Sequence, residues 1–171
     1  MKNIELKLVI KDFRSISKLL KKNGAKHIER LSQVDTYFNC PNGRLKIREM
    51  NGKRDELIFY NRPDRNGSKV SDYQRRELTQ KQCKEINKVN KEKFGVMVVV
   101  KKKRNLWVYG HTRVHLDQVQ KLGNFLELET VAKQISLHQA KKEHRNVIKL
   151  LNLAGYKCLS KSYSEMLLEK N

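Results

Sequence analysis

Residues 4–10 read IELKLVI, and the order of polar and apolar positions in that stretch decides how the rest of the chain is read. On a strand, successive side chains point to opposite faces, so Ile4, Leu6, Leu8 and Ile10 share one face while Glu5 and Lys7 share the other. In one strand this is an edge facing water. The pattern recurs, however. In RLKIRE, Arg44, Lys46 and Arg48 oppose Leu45 and Ile47, and in TRVHLD, Arg113, His115 and Asp117 oppose Val114 and Leu116. In FLELE, Glu127 and Glu129 oppose Leu126 and Leu128. Lys102 pairs in the same way with Arg104, and Tyr60 with Arg62. Solvent faces usually mix in Ser, Thr, Asn and Gln, whereas these positions are mostly ionisable. A closed antiparallel sheet could turn them inward to line a wet lumen, with helices covering the apolar outer face. An ordinary amphipathic sheet with its polar face in water is the competing reading.

The remaining chain is consistent with a mainly antiparallel sheet. DFRSISKLLKKNG reads as a helix capped near Asp12 and stopped by Gly24. Extended segments follow at QVDTYFN, RLKIRE, ELIFYNR and SDYQRRELT, then a polar helix at KQCKEINKVNKEKF. VMVVVKKKRNLWVY, TRVHLD and NFLELETV read as further strands. A helical stretch runs from about Ser136 to Leu153, closed by Gly155, and a short helix lies at SYSEMLLEK. About eight strands with few intervening helices give an α+β expectation: an eight-stranded antiparallel barrel with a charged lumen and helices outside. One domain over residues 1–171 is expected.

Thirty-eight Lys and Arg against eighteen Asp and Glu leave a formal charge of +20, which favours anionic partners. No apolar run approaches the roughly 20 residues of a membrane span, and nothing resembles a signal peptide. A cytoplasmic location and no membrane partner are therefore expected. Cys40, Cys83 and Cys158 are widely spaced and form no CxxC pair, so neither a disulfide framework nor a zinc site is indicated. His111 and His115 lie on an extended stretch, roughly 13 Å apart, too far to share a metal.

Clustered Arg and Lys can cradle several phosphates, Arg in bidentate fashion and Lys as a point charge. Clustered carboxylates suit Mg²⁺ or Mn²⁺, hard ions that prefer oxygen. Both in one cavity fit a metal–triphosphate complex. No Walker loop, dinucleotide-binding turn or serine-hydrolase elbow is present.

The ordered set of segments resembles the CYTH family, the triphosphate tunnel metalloenzymes. NIELK is similar to its N-terminal ExExK strand, supplying the second Glu as Glu5 and the Lys as Lys7. The run from RVHLD to GNFLELE looks most like the class IV adenylyl cyclase branch. The resemblance implies a phosphate grip from Lys7, Lys46, Arg48, Arg62, Lys102, Arg104 and Arg113. It also implies Mg²⁺ or Mn²⁺ on Glu5, Glu127 and Glu129, with Asp117 contributing, and a catalytic group of Glu5, Lys7, Arg113 and Asp117. His115 is expected as a hydrogen-bonding wall of the tunnel. The first Glu of ExExK falls on Asn3, whose amide oxygen lacks the charge, so one metal site is weakened or lost. The implied substrate is a nucleotide or inorganic triphosphate. Three readings stay open: ATP cyclisation to cyclic AMP and pyrophosphate, hydrolysis of tripolyphosphate or of thiamine or nucleoside triphosphates, and non-catalytic binding of polyphosphate or nucleic acid. KKKR at 101–104 looks like a nucleic-acid patch by composition. Proteins of the cyclase branch pair up, which implies a homodimer.

Overall fold

The period-two alternation closes on itself. In the computed structural model, which describes residues 2–61 and 69–170 and their side chains except at positions 2, 61 and 69–73, eight antiparallel strands form a closed barrel. They are β1 (Lys2–Val9), β2 (Lys26–Phe38), β3 (Arg44–Met50), β4 (Asp55–Asn61), β5 (Lys69–Leu78), β6 (Val96–Tyr109), β7 (Thr112–Val119) and β8 (Gly123–Val131). Around the barrel the order is β1-β5-β4-β3-β2-β6-β7-β8, with β8 pairing back onto β1. β2 begins at Lys26, earlier than QVDTYFN suggests, and forms a long ladder with β6, with a bulge between His27 and Glu29.

The apolar rows face outward, onto helices. Leu6, Leu8, Trp107, Val114, Leu116, Leu126 and Leu128 form a buried cluster with Ile16 and Leu20 of α1 (Arg14–Lys22) and Val147 of α3 (Leu137–Leu150). A second outer cluster joins Phe38, Ile47 and Leu78 to Cys83 of α2 (Gln80–Phe94). Fully burying each such side chain contributes roughly 1.5–3 kcal/mol. This is how the ionic rows come to point inward.

Local signals set the helix ends. Thr79 and Ser136 close capping boxes with Gln82 and Gln139 at the starts of α2 and α3, and Ser162 does so with Glu165 for α4 (Tyr163–Leu168). Asp12 takes the Arg14 amide at 2.5 Å, just ahead of α1. The α3 helix ends at Leu150 rather than Leu153, because Asn152 turns to a φ of 53° before Gly155 is reached. At the β6–β7 turn, Gly110 has a φ of 57°, and a Cβ there would meet the Glu143 carboxylate at 3.1 Å. That carboxylate accepts from the His111 amide at 2.8 Å and from Thr112 Oγ1 at 2.7 Å, tying α3 to the turn. The three cysteines are free thiols. No described helix is long and apolar enough to cross a membrane.

Candidate functional site

One layer of inward residues floors the barrel. Tyr37, Val100, Val119 and Phe125 pack with Tyr163 and Leu167 of α4, so apolar packing stoppers one end. Above that floor the same inward rows turn ionic, as along β6, where Val100 is followed by Lys102 and Arg104. They enclose a cavity of about 340 Å³, lined by Glu5, Lys7, Lys46, Arg48, Lys102, Arg104, Arg113, Glu127 and Glu129, among others. Nine of the eleven sequence-derived site residues thus line one space, and a tenth, Asp117, lies directly behind Arg104. Arg62 lies outside the described residues. Lys101 and Lys103, by contrast, point outward and are exposed, so only half of the KKKR run belongs to the lumen.

Four of the cations, Lys46, Arg48, Lys102 and Arg104, are held in two carboxylate-centred groups, while Arg113 reaches Glu129 at 3.4 Å. Asp35, 1% exposed, accepts from Arg48 at 2.7 and 2.8 Å in bidentate geometry, from Lys46 at 2.9 Å and from Lys102 at 3.4 Å. Burial works against the Asp35 carboxylate, but Arg48, then Lys102 and Lys46, hold its pKa well below the usual range. The second group centres on Asp117. Arg104 reaches both its oxygens at 2.6 Å and adds Glu127 at 3.0 Å, while the Tyr163 hydroxyl donates to Asp117 at 3.0 Å. Burial raises the Tyr163 phenol, with Asp117 adding to the effect, so it stays a donor. Lys7 lies over the Tyr163 ring at 4.1 Å.

Asp35 is a lumen anchor that the strand-by-strand reading passed over. QVDTYFN lacks a clean alternation: Val34, Thr36 and Phe38 face out, and Gln33, Asp35 and Tyr37 face in. Glu56 and Arg75, paired at 3.1 Å, also line the cavity unforeseen, whereas Tyr60 lines it as its place on the Arg62 face implied. The middle strands thus carry acids as well as bases on their inward rows.

Lys102 is the poised group of the lumen. Burial, aided by Arg104 and Arg48 and opposed by Asp35, brings its pKa down to about 7. A phosphate placed beside it would raise that value again, because an anion favours the ammonium form. Tripolyphosphate binding is therefore expected to take up close to one proton at pH 8 and none at pH 6, where Lys102 is already charged. Calorimetry in two buffers of different ionisation enthalpy measures the uptake, and subtracting the Lys102→Met variant removes protons that belong to the ligand. Equal uptake in both proteins at pH 8 would contradict the assignment.

His115 sits between two acids, with ring nitrogens 3.9 Å from carboxylate oxygens of Glu127 and Glu129. Its Nδ1 is buried without a hydrogen bond, so it walls the lumen by packing rather than by hydrogen bonding at that nitrogen. Burial, then Arg104, lowers its pKa, keeping the ring neutral.

The acids lie as neighbours on two strands. Glu5 is directly opposite Glu129 in the β1–β8 register, and Lys7 opposite Glu127. Like charges directly opposite repel, and a cation between them relieves that cost. As a donor set, two carboxylates with Glu127 nearby fit one hard divalent ion. Among the described residues, no three His, Cys, Asp or Glu groups converge closely enough to hold an ion as they stand. Asn3 accounts for part of this. It is fully buried, its Nδ2 donates to Glu129 Oε1, and its Oδ1 has no hydrogen-bond partner. An amide thus engages one of the acid oxygens that a metal would take.

Comparison with known proteins follows the same lines. The CYTH domain profile matches residues 1–163. A Methanocaldococcus jannaschii protein, described as a candidate adenylate cyclase, is 28% identical over 178 residues, covering 97% of this chain and 98% of its own. The PH1012 protein of Pyrococcus horikoshii has a similar structure, with a TM-score of 0.82 and 25% identity over 95% of this chain and 98% of its own. The fold is shared too by HpAC1 of Hippeastrum, a candidate adenylyl cyclase with a dominant triphosphatase activity. Its TM-score is 0.68 at 15% identity, covering 98% of this chain and 95% of its own.

Proposed function

The chain belongs to the CYTH domain family, and from that premise we propose that it is an enzyme of triphosphate substrates that holds the phosphate chain inside the barrel. The observation that carries this reading is the buried ionic lumen itself. Lys46, Arg48, Lys102 and Arg104 converge there with under a tenth of each side chain exposed except Arg48, at 15%. Desolvating that many charges is costly unless they are compensated. Their standing partners, Asp35 and Asp117, supply part of the compensation, and a linear triphosphate would supply the rest.

In this reading Arg48 forks onto phosphate oxygens through the edge it does not give to Asp35, and Lys7, Lys46, Lys102, Arg104 and Arg113 add point charges and further donors along the chain. Asp35 and Asp117 hold the two guanidiniums in position, so little reorganisation is needed when charge develops on the leaving phosphates. The stoppered end excludes bulk water from the innermost phosphate. Glu5 and Glu129, with Glu127, would hold Mg²⁺ or Mn²⁺, which would supply charge neutralisation on the phosphates.

Two reactions use this cradle. The first is cyclisation of ATP, in which the ribose 3′-oxygen attacks the α-phosphorus, its bond to pyrophosphate breaks, and the hydroxyl proton leaves. Leu31, Met50, Ile58 and Leu106 line the same cavity and offer apolar surface against which a nucleobase would pack. The second is hydrolysis of a terminal phosphate. In it water attacks the terminal phosphorus, the bond to the bridging oxygen breaks, and Lys102, kept as an ammonium by the bound phosphates, offsets charge on the leaving group. Incubation with ATP or tripolyphosphate and Mn²⁺ separates the two: cyclic AMP with pyrophosphate marks the first, orthophosphate the second. Neither product from either substrate would overturn the enzymatic reading.

The metal assignment has its own test. Asn3→Glu puts a third carboxylate beside Glu5 and Glu129, so the variant is expected to melt lower than the parent without metal. Its melting temperature should rise more than the parent's when Mn²⁺ is added. An equal Mn²⁺ response in the two proteins would count against a site at this place.

A further inference from the structure

The lumen does not account for the basicity of the chain. Eight basic and five acidic side chains line the cavity, and Asp35 and Asp117, bonded directly behind them, bring the acids to seven. The barrel interior therefore holds about one of the +20 formal charges. The excess is elsewhere, and it is not spread evenly.

Helix α1 contains no acidic residue. Its exposed face carries Arg14, Lys18, Lys21 and Lys22, opposite the buried Ile16 and Leu20. On α3 the exposed residues Lys141, Arg145 and Lys149 recur every fourth position, with Lys142 beside them. The single acid of α3, Glu143, is turned away to His111 and Thr112. Both helices pack on the same apolar cluster, so these faces lie on one side of the barrel. None of the eight basic groups makes an ion pair among the described residues. Like charges four apart on a helix are destabilising, and among the described residues no acidic side chain pairs with them, although Lys21, Lys22 and Lys149 gain from the C-terminal ends of their helix dipoles. Helix α2 differs: its lysines are interleaved with Glu85 and Glu92, and Lys88 pairs with Glu92 at 4.0 Å.

The missing apolar groups narrow the choice of partner. Among the described residues, the exposed large hydrophobic ones are Val9, Ile28, Val89, Val96, Val99 and Leu168, none of them on α1 or α3 and none aromatic. A helix that seats in a membrane surface needs apolar side chains beside its lysines. A face that binds single strands uses aromatic rings as stacking platforms. A surface with cations alone fits a regular array of backbone phosphates. We infer that the α1–α3 face is a docking surface for double-stranded nucleic acid, bound through its phosphates without regard to sequence and separately from the lumen.

The test uses the full chain and a fluorescein-labelled RNA duplex of roughly 20 base pairs of mixed sequence, followed by anisotropy across a salt series. The expected plot of log K against log salt is linear with a slope of about −4 to −7, as for five to eight neutralised phosphates. Reversing the α3 charges together (Lys141→Glu, Arg145→Glu, Lys149→Glu) should weaken binding at least tenfold and flatten the slope by about 3. Lys18→Gln with Lys21→Gln and Lys22→Gln, a milder change, should weaken it in the same direction. Reversal on α2 (Lys84→Glu, Lys91→Glu) should leave affinity within twofold. Tripolyphosphate at matched ionic strength should not displace the duplex. The inference is overturned if the α2 and α3 reversals weaken binding equally, if tripolyphosphate competes the duplex away, or if anionic vesicles retain the protein better than the duplex does.

Discussion

Asp35→Asn is expected to cost the fold about 3–5 kcal/mol, the usual penalty for leaving buried charge without its partner. The side chain keeps its shape but loses its charge, and Lys46, Arg48 and Lys102 are then crowded together with no shared anion. For a chain of this size the melting temperature should fall by roughly 10 °C or more. The same variant carries a second readout. Cations released from Asp35 are available to an incoming anion, so tripolyphosphate should raise the melting temperature of the variant more than that of the parent. The acid limb should change as well. The folded-state pKa of Asp35 is depressed, so its stabilisation is present above about pH 4 and lost as pH falls further. Without it, the parent's loss of stability in acid should be shallower in the variant. A melt indistinguishable from the parent's would show that the three cations do not depend on this carboxylate.

Arg104→Lys is the second large effect, although it conserves charge. The guanidinium places two hydrogen bonds on Asp117 and one on Glu127, a fork that an ammonium cannot reproduce. Asp117 is fully buried, so the bond it loses is not replaced by water. Charge-assisted hydrogen bonds of this kind contribute about 1.5–3 kcal/mol each, and a loss near 2–3 kcal/mol is expected in denaturant unfolding. Tripolyphosphate affinity should fall at least tenfold, since the phosphate contact from the remaining Nη1 group is lost along with the geometry of Asp117. Arg104→Lys should thus impair both stability and binding, whereas Asp35→Asn should impair stability and enlarge the response to ligand. Opposite ligand responses from two buried lumen residues are hard to obtain from general damage to the fold.

The charged rows on β1, β3, β7 and β8 were legible because strand geometry forces alternation, and the middle of each of those strands sets adjacent apolar positions against adjacent ionic ones. Lys101 and Lys103 separate from Lys102 and Arg104 for the same reason. Helix starts were readable where a Ser or Thr stands three residues before Gln or Glu, as at Ser136 and Ser162. β2 was less transparent. Its outward row mixes Arg30, Ser32, Val34, Thr36 and Phe38, since the part of the barrel beside β6 is not covered by one continuous apolar cluster. Its start at Lys26 and the inward aim of Asp35 were both hidden by that mixture. The Leu153 boundary failed because a positive φ at Asn152, not the next glycine, ends the final turn of α3.

What the sequence by itself determined is which side chains share a face, because that follows from the covalent geometry of a strand and needs no knowledge of neighbours. Which face is the inside, and which cation meets which carboxylate, was decided only by tertiary structure. Asp35 and Lys102 are 67 residues apart and come to 3.4 Å because β2 pairs with β6 in one register. Barrel closure then brings Glu5 opposite Glu129, across nearly the length of the chain. Coulombic contacts of that kind depend on distances of a few ångströms, which only the closed sheet fixes.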